Sequence, residues 1–168
     1  MKIREKMAKL ANDEVKNNSL YLWGGQGESV EKTTPAQIQK KETSNANAAR
    51  VLKCLANKIN SSANMKKARY FDCSGLIVDL LRQTEVIPKD ADYTAQGIFD
   101  KLCAPICKAN LKRGDLTFIS NGKKITHVGI YDDNGICIEA AGRDLGVVRR
   151  GIDKNNWNIY GRIKTDEK

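Results

Sequence analysis

The sequence predicts an α+β fold in which helices pack on a central antiparallel β-sheet. Apolar residues recur at helical spacing in several segments of the first 102 residues, whereas short alternating stretches follow residue 115. Helices that precede strands, instead of alternating with them, are typical of an α+β domain. The chain has 168 residues, of which 40% are hydrophobic, so we expect a single domain over residues 1–168.

Two helices are predicted in the first part of the chain, over residues 2–17 and 46–60, because apolar side chains recur there every three or four positions. Between them, residues 21–25 (YLWGG) end in paired glycines, which interrupt regular structure and allow close backbone approach. Residues 26–45 are polar and have little periodicity, which predicts a mobile loop. A second polar connection is predicted over residues 61–67.

A third helix is predicted over residues 72–83, with Cys73 in its first turn and on its buried face. Asp72 directly precedes this helix and is a natural N-cap. A fourth helix is predicted over residues 94–102. The predicted helices therefore bring one cysteine to a helix start.

Five short strands are predicted in the last third of the chain. They cover residues 116–119, 126–132, 136–141, 146–149 and 159–163. The sequence Asp-Asp-Asn-Gly at residues 132–135 is a strong signal for a hairpin between the second and third strands.

The single histidine, His127, lies on the second of these strands, and alternation along the hairpin predicts that it shares one side of the sheet with Glu139. A carboxylate beside an imidazole fixes its tautomer and stabilises the imidazolium, as a general base requires. A thiol at a helix start meets unpaired N–H groups and the positive end of the helix dipole, which favour the thiolate. Cys73, His127 and Glu139 therefore form a candidate acyl-transfer site, although each residue alone is compatible with a structural role.

The other cysteines are interpreted as structural. Five cysteines at irregular spacing do not indicate a disulfide framework. The separation of Cys103 and Cys107 is only loosely compatible with zinc, so no metal site is predicted. Cys54 and Cys137 are expected to pack in the interior.

Most of the positive charge lies in residues 26–70, which carry nine basic and three acidic groups, or +6 of the total +9. Such a segment forms a solvated lysine-rich face, or binds a polyanion such as nucleic acid, an anionic membrane or an anionic wall polymer. The chain has no recognisable nucleic-acid-binding motif and no apolar run near the ~20 residues that a membrane helix needs. We therefore expect a soluble protein with neither a nucleic-acid partner nor a membrane span.

Four segments, in this order along the chain, resemble the signatures of the NlpC/P60 cysteine peptidases. They are Tyr21–Gly25, Phe71–Ile77, Leu111–Leu116 and His127–Tyr131, and the resemblance extends over about residues 5–163. It implies a papain-like core with the nucleophile at a helix N-terminus packed on a sheet that carries the histidine.

The resemblance also implies roles for individual residues. Cys73 corresponds to the nucleophile and His127 to the general base, and the third, polar position falls on Glu139. Substrate binding is implied for three residues beside the nucleophile: Tyr21, Asp72 and Ser74.

The family's activity implies a cell-wall hydrolase that cuts peptidoglycan stem peptides between γ-D-glutamate and the following diamino acid, through a thioester and without a cofactor. The expected partner is the stem peptide, and the expected oligomeric state is a monomer. One alternative is another cysteine amidase or acyltransferase activity on the same centre. The other is a non-catalytic polyanion-binding module that uses Lys53, Lys58, Lys66, Lys67 and Arg69.

Residues 26–70 depart from the family pattern, because many relatives join the paired glycines to the Asp-Cys-Ser-Gly sequence through far fewer residues. This basic insertion is expected to lie close to the cleft, where it forms a wall of the site or binds an anionic wall polymer. Residues 1–10 lack the apolar core of a secretory signal. We therefore expect synthesis in the cytoplasm and action on the wall after lysis, injection or virion delivery.

Overall fold

The computed structural model describes residues 1–167. Its helices are α1 (Ile3–Lys16), α2 (Pro35–Lys41), α3 (Asn45–Asn60), α4 (Cys73–Gln83) and α5 (Ala95–Leu102). Its strands are β1 (Leu20–Tyr21), β2 (Gln26–Ser29), β3 (Arg69–Phe71), β4 (Cys103–Pro105), β5 (Leu116–Ser120), β6 (Ile125–Asp133), β7 (Ile136–Ala140), β8 (Val147–Gly151) and β9 (Ile159–Ile163). Three short 3₁₀ turns cover Lys108–Asn110, Ile152–Lys154 and Lys164–Glu167.

Helix starts are set by side chains that cap the first turn. Thr34, Ser44, Asp72 and Thr94 each accept a hydrogen bond from the backbone N–H three residues later. Such a bond satisfies one of the N–H groups that an α-helix leaves without a partner at its start. The cap at Asp72 places Cys73 at the first position of α4.

The main sheet has six strands in the order β4-β9-β5-β6-β7-β8, and each neighbouring pair is antiparallel. Helix α4 packs on this sheet with its apolar face, and α1 lies beside it. The predicted α+β fold with a central antiparallel sheet is therefore confirmed. The hairpin between β6 and β7 is also present, and Asp133, Asn134 and Gly135 all have positive φ at its turn.

A second, smaller sheet has the order β1-β3-β2, in which β1 and β3 are parallel and β2 is antiparallel to β3. Helices α2 and α3 cover it and form a separate apolar cluster. The members of this cluster are Leu20, Leu22, Val30, Ile38, Ala48, Val51, Cys54, Ala68 and Tyr70. The basic insertion therefore has a core of its own.

The prediction of a mobile loop over residues 26–45 is wrong, because this segment contains β2 and α2. Strand β2 owes its order to pairing with β3, more than forty positions away, which local periodicity does not reveal. Helix α2 begins with a capping box between Thr34 and Gln37, with Pro35 at its first position. A helix start therefore lies within the segment that was predicted as a loop.

An ion network joins β3 of the smaller sheet to helices α1 and α4. The Arg69 guanidinium contacts Glu14 of α1 at 2.6 Å and Asp79 of α4 at 2.8 Å. It also lies over the Phe71 ring at 4.8 Å.

Among residues 1–167, no helix is both long and apolar enough to span a bilayer.

Candidate active site

A cleft of about 530 Å³ opens at the N-terminus of α4. It is lined by Tyr21, Trp23, Asp72, Cys73, Ser74, Thr94, Ala95, Gln96, Lys124, Ile125 and Thr126. Four segments far apart in the chain thus meet here, with the half-buried Cys73 among them.

Asp72 holds the start of α4 against the paired glycines. One carboxylate oxygen accepts bonds from the Gly75 N–H at 2.6 Å and the Ser74 hydroxyl at 3.3 Å, and the other accepts from the Gly24 N–H at 3.1 Å. Burial nevertheless raises the pKa of the Asp72 carboxyl, since these hydrogen bonds only partly offset the loss of water. A Cβ at position 75 would lie 2.0 Å from the Gly25 carbonyl oxygen, so only glycine permits this approach.

His127 on β6 connects Cys73 to Glu139. Its Nε2 lies 3.2 Å from Oε2 of Glu139, which leaves Nδ1 as the ring nitrogen for the thiol. Burial alone would lower the pKa of His127, but hydrogen bonds with Cys73 and Glu139 outweigh burial and raise it to about 9. The imidazole is therefore protonated at neutral pH and can donate a hydrogen bond to the Cys73 sulfur.

Glu139 on β7 is 1% exposed and is held by more than the histidine. Arg150 on β8 donates from Nε to Oε1 at 3.0 Å and also from Nη2, and Asn155 donates to Oε2 at 3.0 Å. Burial favours the neutral acid, but the hydrogen bonds from His127, Asn155 and Arg150 prevail and lower the pKa of Glu139. Glu139 is thus a fixed carboxylate that stabilises the imidazolium.

Arg150 and Asn155 are site residues that sequence reasoning missed. Arg150 pairs with Cys137 in the sheet, and Glu139 pairs with Val148, so the arginine and the glutamate are diagonal neighbours on adjacent strands. The predicted fourth strand ended at residue 149, one position too early to show this relation. Asn155 follows the 3₁₀ turn after β8 and has no sequence signal of its own.

Trp157 fixes the plane of the histidine ring. The two rings stack with their centroids 5.3 Å apart and an interplanar angle of 19°. Gly129, two residues after His127 on β6, makes the room: a Cβ there would lie 2.8 Å from Cη2 of Trp157. Gly129, in the His-Val-Gly-Ile-Tyr sequence, therefore allows Trp157 to pack close to β6.

Tyr21 on β1 lies close to Cys73 in the cleft. Burial, together with the nearby charges of Cys73 and Asp72, raises the pKa of its hydroxyl to about 12. Tyr21 consequently stays a neutral hydroxyl that can donate and accept hydrogen bonds in the cleft.

The insertion supports the cleft wall from behind. Glu42, at the C-terminal end of α2, accepts from the Trp23 N–H at 2.9 Å and from Nε of Arg143 at 2.7 Å. The Arg143 guanidinium in turn lies 5.5 Å from the Tyr21 ring centroid and 5.9 Å from that of Trp23. The insertion is thus adjacent to the site, as its position predicted, but the described residues that line the cleft lie outside 26–70.

The remaining cysteines have environments unlike that of Cys73. Cys54, Cys103 and Cys137 are buried, and burial raises the pKa of each, to about 12 for Cys103 and Cys137. Cys107 is an exposed free thiol. Residues 1–167 contain no group of three side chains arranged to hold a metal ion.

Comparison with known proteins agrees with this geometry. The sequence profile of the NlpC/P60 family matches residues 18–161. The chain is 33% identical over 93 residues to the probable endopeptidase p60 of Listeria welshimeri, which covers 54% of this chain and 16% of that protein. The match to p60 of Listeria monocytogenes has the same identity and covers 17% of that protein. The chain therefore spans about a sixth of the length of these curated relatives.

Solved structures share the fold at low sequence identity. NlpC1 from Trichomonas vaginalis superposes with a TM-score of 0.57 at 18% identity, over 97% of this chain and 44% of that chain. The P60 domain of an antigen from M. avium subspecies paratuberculosis gives a TM-score of 0.52 at 19% identity, over 93% and 96% of the two chains. Since the family profile covers most of the residues and the fold agrees, the chain belongs to the NlpC/P60 family.

Proposed function

We propose that the chain is a cysteine endopeptidase that hydrolyses peptidoglycan stem peptides between γ-D-glutamate and the following diamino acid. The observation that carries this proposal is the line from Cys73 through His127 to Glu139 at the edge of an open cleft. Family membership and the likeness to probable endopeptidases support peptide cleavage. The bond itself is proposed from the resemblance of the site segments to that family.

In the first half of the reaction, the Cys73 thiolate attacks the γ-carbonyl carbon. The first N–H groups of an α-helix lack intrahelical partners. Because Asp72 occupies the N–H of Gly75, the N–H groups of Cys73 and Ser74 are the donors placed to hold the oxyanion. The His127 imidazolium then donates its proton to the leaving amine, and a thioester on Cys73 remains.

In the second half, the neutral His127 takes a proton from water, which attacks the thioester carbonyl. The thioester collapses to release the γ-D-glutamyl carboxylic acid and the Cys73 thiolate. Glu139 keeps its charge throughout, because Arg150 and Asn155 hold it as a carboxylate. Its role is to orient His127 and to stabilise the imidazolium, as an acidic residue does in related catalytic triads.

The test is digestion of intact peptidoglycan by the wild type and by Cys73→Ala, with mass spectrometry of the released fragments. We expect fragments that end in γ-D-glutamate and a new amine on the diamino acid, and we expect Cys73→Ala to abolish both. Cys107→Ala is the matched control: it removes another accessible thiol and should retain full activity. Undiminished cleavage by Cys73→Ala would overturn the nucleophile, and release of L-alanine from the sugar would identify an amidase instead.

A further inference from the structure

A second cavity, of about 570 Å³, lies in the insertion beside the catalytic cleft. It is lined by Leu22, Glu28, Ser29, Lys32, Thr33, Gln37, Lys40 and Lys41. Three ammonium groups thus face a single carboxylate around one concave surface. None of the catalytic residues lines this cavity.

The acidic residue in the lining neutralises only part of the positive charge of the cavity. Lys41 forms an ion pair with Glu28. Burial would raise the pKa of Glu28, but the hydrogen bonds from Lys41 and from the backbone N–H of Gln26 lower it, so the pair remains charged. Among residues 1–167, Lys32 and Lys40 make no ion pair. The cavity therefore retains two positive charges for a ligand.

Neutral hydrogen-bond groups complete the lining. The Gln37 Oε1 accepts from the Thr34 N–H at 2.8 Å as part of the capping box, which fixes this side chain and leaves its amide N–H groups as donors. Ser29 adds a hydroxyl. Lysines with amide and hydroxyl donors suit phosphate oxygens, for which lysine acts as a point charge.

The dimensions and lining distinguish among polyanions. A volume of about 570 Å³ exceeds that of one phosphate and accommodates a repeating unit of a polymer. No aromatic side chain lines the cavity, so it offers no surface on which a nucleic-acid base would stack. A polyol phosphate carries phosphates without bases and needs no such surface, so the charged and polar lining is suited to it.

The cavity is joined directly to the catalytic helix. Lys41 Nζ donates to the Gly24 carbonyl at 3.2 Å, and the Gly24 N–H donates to Asp72, which precedes Cys73. Leu22 of the cavity and Trp23 of the cleft are consecutive residues. A polymer held at the lysines would therefore lie next to the site of cleavage, which raises the effective concentration of the wall.

We propose that this cavity binds the phosphate groups of a polyol phosphate polymer of the cell wall and thereby retains the protein on its substrate. The assignment of the polymer to the wall rests on the proposed function. The binding of phosphate is independent of catalysis.

The proposal is tested by measuring how a synthetic glycerol phosphate decamer binds to the full chain. Calorimetry at a range of salt concentrations gives the affinity. Inorganic phosphate and a single-stranded DNA decamer serve as competing probes. The Lys32→Gln/Lys40→Gln double variant should bind the decamer about tenfold or more weakly than the wild type. The slope of log K against log salt concentration should be smaller in magnitude by about 1 to 2. Lys66→Gln/Lys67→Gln removes the same charge from exposed positions outside the cavity and should bind within about twofold of the wild type.

Equal losses in both double variants would show diffuse attraction and overturn the proposal, as would DNA binding as tight as that of the glycerol phosphate chain. Absence of decamer binding by the wild type at physiological salt would also overturn it. Cleavage of a soluble stem peptide, which needs no polymer, should be equal in the wild type and both double variants. Failure of that cleavage in all three proteins would count against the proposed peptidase and not against the binding site.

Discussion

Two carboxylates beside the nucleophile illustrate how the surroundings of a residue set its chemistry. Burial acts on both Asp72 and Glu139 in favour of the neutral form. The pKa of Asp72 is raised, because its partners are backbone N–H groups and one hydroxyl. The pKa of Glu139 is lowered, because an imidazolium and a guanidinium lie against it. A carboxyl group thus caps a helix at Asp72 and stabilises an imidazolium at Glu139.

Arg150 is expected to act as a positioning residue for the catalytic pair. Replacement by Gln removes the cation from Glu139 Oε1, so the pKa of Glu139 should rise. The pKa of His127 should rise too, because Glu139 stays ionised and its charge is no longer shared with a guanidinium. We expect kcat for a stem peptide to fall about 10- to 100-fold, with KM little changed, because the general base is misplaced. The basic limb of the pH profile of kcat should shift to higher pH together with the loss.

Two further variants separate positioning from general stability. Arg150→Lys should restore part of the activity, since it returns the charge. Arg149→Gln is the matched control, because Arg149 lies on the same strand but pairs with Asp132 away from the site. If Arg150→Gln lost activity with an unaltered pH profile, or if Arg149→Gln lost as much, the positioning role would be wrong.

The pKa of about 9 for His127 also predicts the basic limb of the pH profile. Below this pH the imidazolium can protonate the leaving amine, and above it the proton is gone. We therefore expect kcat/KM to fall as the pH rises through about 9, and Glu139→Gln to move this fall to lower pH. Steady-state hydrolysis of a stem peptide from pH 5 to 10 measures both. A basic limb near pH 7 in the wild type would mean that His127 loses its proton well below pH 9, and would contradict this prediction.

At the scale of secondary structure, the elements that were predicted are those with local signals. Helix α4 has an apolar face of its own and an acidic N-cap at Asp72, and the β6–β7 turn has Asn134 and Gly135 at positions that need positive φ. Strands β1, β2 and β3 have four residues or fewer and exist through pairing with one another. No periodicity within such short segments indicates them.

The same distinction applies to the candidate site. Cys73, His127 and Glu139 were found from a helix start and a hairpin, and the structure brings them together. The contact between Glu42 and Arg143 joins positions 101 residues apart, and neither residue belongs to a pattern. Supporting contacts of this kind depend on the tertiary fold and are read only from the structure.

The two interior helix glycines should respond differently to the same substitution. Gly75→Ala places a Cβ 2.0 Å from the Gly25 carbonyl oxygen, so it should destabilise the protein by roughly 3 kcal/mol or more and displace the start of α4. Gly97→Ala in α5 meets Thr94 at an ordinary 3.4 Å and should be neutral or stabilising by up to about 1 kcal/mol. Urea unfolding of both variants measures the difference. Equal stability of the two would contradict the close packing of α4 on the glycines.

The described residues form two apolar clusters that share one strand. On β3, Tyr70 belongs to the cluster of the insertion and Phe71 to that of the main sheet. Arg69 of the same strand links α1 to α4. The insertion therefore adds a second core and most of the net charge beside α4 and the main sheet.

The residues that flank the insertion are in direct contact, since the Asp72 N–H donates to the Gly25 carbonyl at 3.0 Å. A chain segment whose two ends already touch can grow or shrink without moving the residues outside it. The entropy of closing such a loop rises by only about 0.6 kcal/mol for each doubling of its length. The segment between Gly25 and Asp72 can therefore change in length at little entropic cost, which makes this junction a place where evolution or a protein engineer can alter the insertion.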